Sequence, residues 1–302
     1  MFDSILQNFF NALQWGSFYS LIALGYTLVY GVLRLINFAH GDIFMVGAYI
    51  AFFVATFLLG SAISPPMALA LTVPLTMLLT AAVGVSIERI AYRPLRRKGA
   101  NRLYVVITAL MCGLILENGN LALLGASRKS FPQLLDKTVY ALGPVSLTNQ
   151  KVAVIVCTVL VFLFLQFVVT KTKIGMAMRA ISYDKFAVPL MGIPLDTIIV
   201  FTFILGSSFA GLAGLLFALS YPVLDPYMGA MVGWKAFISA VVGGIGDIRG
   251  AFVGGFLLGF VEILVVAFFP STYRELIAFT ILLVILYKKP TGIFGVAGTT
   301  KI

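Results

Sequence analysis

The chain has 302 residues, of which 61% are apolar and 11% charged, with a mean hydropathy of +1.05. Soluble domains carry about 25% charged residues, so a soluble fold of this length could not enclose so much apolar surface, whereas a bilayer removes that difficulty. A net charge of +10 would suggest nucleic acid in a soluble protein; here it reads as loop charge that fixes orientation in a membrane, and no nucleic-acid partner is expected.

The N-terminus, Met1-Phe2-Asp3-Ser4, has no basic segment ahead of its first apolar run, so no cleavable signal peptide is expected and the first span serves as the insertion signal. A crossing helix needs roughly 20 apolar residues. In chain order the predicted spans are Phe9 to Leu33, Asn37 to Leu59, Pro66 to Ile87, Leu103 to Leu124 and Val152 to Thr170. Leu195 to Leu219, Met228 to Gly243, Ala251 to Phe269 and Leu276 to Tyr287 follow. The run from Met228 is short and contains Lys235, so it reads either as a crossing or as a re-entrant element. The fold class is all-α, a polytopic helical membrane protein of about eight or nine spans, and residues 1–302 read as one membrane domain.

Orientation follows from Lys and Arg. The loop after the third span carries Arg89, Arg93, Arg96, Arg97 and Lys98, with Arg102 beyond it. The loop after the fifth span carries Lys171, Lys173, Arg179 and Lys185, and the C-terminal end carries Lys288, Lys289 and Lys301. These regions are expected in the cytoplasm, the C-terminus included; with nine crossings the N-terminus lies outside, and with a buried or re-entrant extra element it lies inside. Small residues recur at four-residue spacing at Ala210, Gly214 and Ala218, at Gly250 and Gly254, and at Gly255 and Gly259. Such rows let helices approach closely, within the chain or against another chain.

The longest inward segment, Lys171 to Pro194, favours a helix from Gly175 to Met191, with Gly192 as C-cap and Pro194 as stop. A short helix there either lies on lipid or docks into a partner protein. The stretch GMAMRAISYDKFAVPLMGIPLD resembles the cytoplasmic coupling loop of ABC importer permeases. It departs from the usual pattern at Ala187-Val188-Pro189, where Pro189 shortens or kinks the helix. Further motifs resemble one branch of that family, the branched-chain amino acid permeases. They are Ile36-Asn37-Phe38-Ala39-His40-Gly41-Asp42, Ser130-Phe131-Pro132, Gly243-Gly244-Ile245-Gly246-Asp247, Gly259-Phe260-Val261-Glu262 and Lys289-Pro290-Thr291-Gly292-Ile293-Phe294-Gly295. In order and nearly from end to end, they resemble the first of the two paired permease subunits.

The resemblance implies an ABC importer permease fold that forms half of a translocation path for leucine, isoleucine or valine across a bacterial-type cytoplasmic membrane. Urea, short amides or other amino acids suit the same apolar spans. It also implies a second homologous permease, two ATP-binding subunits that carry ATP and Mg, and an extracytoplasmic substrate-binding protein. ATPase contact would fall on Gly175, Arg179, Ala180, Asp184, Ala187, Gly192 and Ile193. No Gly-Lys-Ser/Thr occurs, so a Walker A phosphate cradle is absent and no cofactor is expected on this chain itself.

Polar residues within apolar runs are candidates for the path or its gate: Asn37, His40, Asp42, Glu117, Asn118, Asp247 and Glu262. His40 is the single histidine and cannot build a His-rich metal site. Asp42 and Asp247 each follow a break and precede a span, which suits two helix caps or two edges of the inner end of the path. Glu117 with Asn118 suits the path or the second permease, while Glu262 suits an ion pair with Lys235. Cys112 and Cys157 read as packing residues. A catalytic site is not expected, because one histidine and scattered carboxylates supply no nucleophile–base pair. An ion-coupled secondary transporter would want more intramembrane acids than these.

Overall fold

A computed structural model describes residues 2–142 and 145–295. The helices are α1 (Phe2–Leu33), α2 (His40–Gly60), α3 (Pro65–Ile87), α4 (Arg93–Arg97), α5 (Arg102–Leu124) and α6 (Asn149–Lys171). Then come α7 (Lys173–Tyr183), α8 (Ala187–Leu190), α9 (Leu195–Ser220), α10 (Met228–Gly243), α11 (Ile248–Phe268) and α12 (Arg274–Lys288). Four short strands, β1 (Lys129–Ser130), β2 (Val139–Leu142), β3 (Val145–Thr148) and β4 (Val223–Leu224), pair as β1 with β4 and β2 with β3.

Seven of the described helices are long and apolar enough to cross a membrane: α1, α2, α3 with its continuation to Arg97, α5, α6, α9 and α11. The 16 residues of α10 and 15 of α12 reach only about 24 and 22 Å at 1.5 Å per residue, short of a hydrocarbon core of roughly 30 Å. Seven long and two short apolar helices match the expected polytopic all-α architecture.

Two boundaries differ from expectation. The third span does not end at Ile87: a π-helical turn over Glu88–Tyr92 carries it straight into α4. Pro94 explains the turn, since proline has no N–H and its ring clashes with the carbonyl four residues earlier, which the wider turn relieves. The second span starts at His40, not Asn37, after an extended stretch that leaves α1 through Arg34 at φ 55°. The His40 ring lies directly over Gly25, eight residues or about 12 Å back from the end of α1. The chain therefore turns back into the bundle before α2 begins.

α1 is the central helix and α9 the next most enclosed; both are buried along most of their length, whereas α5 is mostly uncovered. Glycines set how closely the helices pack. A Cβ at Gly259 or Gly255 would strike the α1 backbone at Gly16 or Ser20, and one at Gly254 would strike Ser239 and Gly243 of α10. Gly214 seats on Phe44 and Ala48 of α2, with Ala210 and Ala218 fully buried beside it. All three small-residue rows therefore pack inside this chain.

The basic regions share one end of the bundle. Arg93, Arg96 and Arg97 reach Asp196 at the start of α9, Arg34, Arg179, Asp247 and Arg249 border one cavity, and Gly292 lies on Gly244. At the other end Gln7 bonds Ser146 in β3. Lys301 lies outside the described residues.

Candidate functional site: an intramembrane groove and a docking segment

The segment after α6 is two helices, not one. α7 ends at Tyr183 and α8 covers only Ala187–Leu190. The break comes from Asp184, whose Oδ1 accepts from the backbone N–H of Phe186 at 2.8 Å and Ala187 at 3.1 Å. That local bonding competes with continued helix. Pro189 does not break or kink the segment; it sits in the first turn of α8, where a missing N–H costs nothing. Gly192 at φ 77° ends α8, as its expected capping role requires. Gly175 lies against the carbonyls of Val168 and Val169, and Arg179 donates to Val169 O, so α7 folds back on the end of α6.

Ala177, Met178, Ile181 and Val188 point into the bundle. The opposite face carries Tyr183, Phe186, Leu190 and Met191, each at least 75% exposed and lying beyond the spans. Ala180 and Ile193 are half-buried, while Ala187, also half-buried, lies next to the exposed Phe186. Beside this face, Arg93, Arg96 and Arg97 converge on Asp196, with Arg96 also 2.8 Å from the fully buried Glu88. From the sequence these arginines read as orientation charges. Their acceptor lies about a hundred residues on, and no local spacing announces the cluster.

Asp42 is not a helix cap. α2 starts at Ala39–His40 without any side-chain cap, and Asp42 sits inside its first turn, 8% exposed, with Oδ1 unpartnered. It borders a cavity of about 310 Å³ between α2, α5 and the start of α10, together with Tyr26, Phe38, Glu117 and Trp234. Gly113 and Gly229 flank the carboxylate: a Cβ on the first would lie 2.5 Å from Oδ2, and on the second 2.8 Å from Oδ1. The structure thus joins Asp42 and Glu117 in one groove. Asn118 is exposed on the next face of α5 and bonds only Leu114 O, at 2.8 Å. Asn37 and His40 lie below the groove; Asn37 Oδ1 accepts from Tyr92 OH at 2.7 Å, and the His40 ring packs edge-on against Tyr26 at 4.8 Å.

Asp247 is the expected cap. Its Oδ1 accepts from the N–H of Arg249 at 2.7 Å and of Gly250 at 3.0 Å, which starts α11. It lies at the basic end and not beside Asp42, so the two Gly-Asp breaks do not border one opening. Glu262 is fully buried near the other end. Lys235 Nζ lies 3.1 Å from its Oε1, close enough for charge pairing though not aligned as a hydrogen bond. Tyr19 OH and Arg274 donate to Oε2, and Lys235 also meets Glu275 at 2.9 Å. The expected Lys235–Glu262 pair is present, inside a larger network.

The family model described as the permease component of branched-chain amino acid transport systems matches residues 8–286. The chain belongs to this permease family. It is 38% identical over 295 residues to the high-affinity branched-chain amino acid transport system permease protein BraD of Pseudomonas aeruginosa, spanning 96% of this chain and 95% of that one. To the corresponding LivH protein of Escherichia coli K12 it is 37% identical over 296 residues, with the same coverage. A probable branched-chain amino acid permease of Methanocaldococcus jannaschii is 31% identical over 290 residues, 91% of this chain and 88% of that one. No solved structure matches.

In this permease most of the candidate residues fall in three separate places, while Asn118 is exposed on another face of α5 and Asp247 caps α11. One is the groove at Asp42 and Glu117, one is the α7–α8 segment at the basic end, and one is the ion network at Glu262. The glycines around Asp42 escaped the sequence reading because they come from α5 and α10, far away in the chain.

Proposed function

We propose that this chain is one of two permease subunits of an ATP-driven importer for branched-chain amino acids. Of two ATP-binding subunits, which hold ATP and Mg, one docks at the α7–α8 segment in the cytoplasm. A second, homologous permease completes the path, and an extracytoplasmic binding protein delivers leucine, isoleucine or valine. The basic end of the bundle, with the C-terminus, faces the cytoplasm of a bacterial-type inner membrane, in keeping with its Lys and Arg content.

The observation that carries this reading is the exposed apolar knuckle of Tyr183, Phe186, Leu190 and Met191 beyond the spans. Large apolar side chains grouped in this way mark a contact surface. Their supporting face is anchored in the bundle through Met178, Ile181 and Val188, so force applied to the knuckle is passed to α1 and α9. Family membership and relatives named as high-affinity branched-chain amino acid permeases support the substrate class.

The test is purification of the tagged chain from native membranes in mild detergent. Two Walker-motif ATPases and a second permease co-purify, and their recovery depends on Leu190. Isolation of the chain as a lone species, transporting without ATP, would overturn the reading.

A further inference from the structure

We propose that Asp42 receives the α-ammonium group of the amino acid as it passes through the groove between α2, α5 and α10. The inference rests on the importer reading above and adds a substrate subsite to it.

A carboxylate in a bilayer is expected to pair with a cation or to face water. Asp42 is more than nine-tenths buried, and its Oδ1 has no hydrogen-bond partner. Among the described residues no Lys or Arg lines its cavity; the other acid there is Glu117. The groove thus brings two acids together with no basic side chain beside them to pair with either. Gly113 and Gly229 pack closely on Oδ2 and Oδ1: a Cβ on either would clash with the carboxylate, so the glycines are what allow Asp42 to sit at the edge of the cavity.

The rest of the cavity fits an amino acid with a branched aliphatic side chain. Phe38, Leu110, Leu114 and Trp234 form an apolar wall. The first turn of α10, at Gly229 and Ala230, borders the same space, and that helix has no side-chain cap. Its leading N–H groups suit a carboxylate, as at the broken helices of other transporters. Ammonium, carboxylate and side chain thus each meet a matching surface in a cavity of about 310 Å³. α5 is otherwise poorly covered, so the groove opens on a flank that a second permease would close.

The experiment uses the whole transport system in membrane vesicles. Asp42→Asn, which keeps the side-chain shape, lowers initial leucine uptake at least tenfold at an unchanged amount of assembled complex. Gly113→Ala, whose Cβ would lie 2.5 Å from Oδ2 and displace the carboxylate, does the same. As an independent readout, the detergent-solubilised complex is treated with dicyclohexylcarbodiimide and Asp42 modification is measured by peptide mass spectrometry. Leucine slows the modification, whereas 2-hydroxy-4-methylpentanoate, which has the same skeleton without the ammonium, does not. Uptake by Asp42→Asn within twofold of wild type, or equal protection by both compounds, would overturn the subsite while leaving the importer reading intact. Absence of leucine uptake by the wild-type vesicles would instead strike the importer reading itself.

Discussion

Replacing Glu262 by alanine removes the centre of the buried ion network. Glu262 is fully buried, and its two oxygens serve Lys235, Arg274 and Tyr19. Removing one partner of a buried ion pair costs about 3–5 kcal/mol, mainly because the remaining charge is left uncompensated. Lys235 would keep Glu275 at 2.9 Å, and Arg274 would keep its place over the Trp15 ring, 5.0 Å from its centre. The low end of that range applies, about 3 kcal/mol. For a chain of 302 residues that is a fall in melting temperature of roughly 5 °C. Glu262→Gln keeps an acceptor for the Tyr19 hydroxyl and loses only the charge, so it falls by less. The assay is thermal unfolding of the purified complex in detergent, comparing both variants with wild type. A Glu262→Ala melt within about 1 °C of wild type, under 1 kcal/mol, would refute the claim that this network holds α10, α11 and α12 together.

Three further outcomes follow from the geometry. Asp247→Ala removes the two cap bonds of α11 and lowers stability by about 1 kcal/mol, and Asp247→Ser restores most of it, read from the same melts. Gly214→Val places a side chain where a Cβ would already lie 2.5 Å from Phe44 O, and overpacking of about 1–3 kcal/mol lowers the folded yield in membranes. Leu190→Asp puts a charge on a residue that is 90% exposed; the chain still folds, but ATPase recovery on co-purification and leucine uptake both fall about tenfold, a loss near 1.4 kcal/mol.

Much of the bundle was legible because apolar run length is a direct consequence of bilayer thickness. The short α10 with its internal Lys235 was readable for the same reason, and the Lys235–Glu262 pair followed from the cost of an unpaired charge in lipid. What the sequence hid was decided by distant contacts. Gly-Asp-Ile reads as a helix start at both Asp42 and Asp247, yet only Asp247 caps. At Asp42 the helix begins two residues earlier, because Gly41 must sit against Gly229 and Gly233 while the His40 ring covers Gly25. In the docking segment Pro189 drew attention as the breaker, but Asp184 supplies the competing bonds. The arginines after α3 share one end of the bundle with the other basic regions, while their convergence on Asp196 had no local signature.

We propose that this chain is half of a leucine-conducting path, with an ATPase docked on its α7–α8 segment. Reconstitution into proteoliposomes tests it most directly, with radiolabelled leucine and its binding protein supplied at the outer face. Uptake should require ATP on the side of the basic end, both permeases and both ATPases, and should vanish when this chain is omitted. Leucine accumulation by this chain alone, or uptake that continues without ATP, would contradict the account.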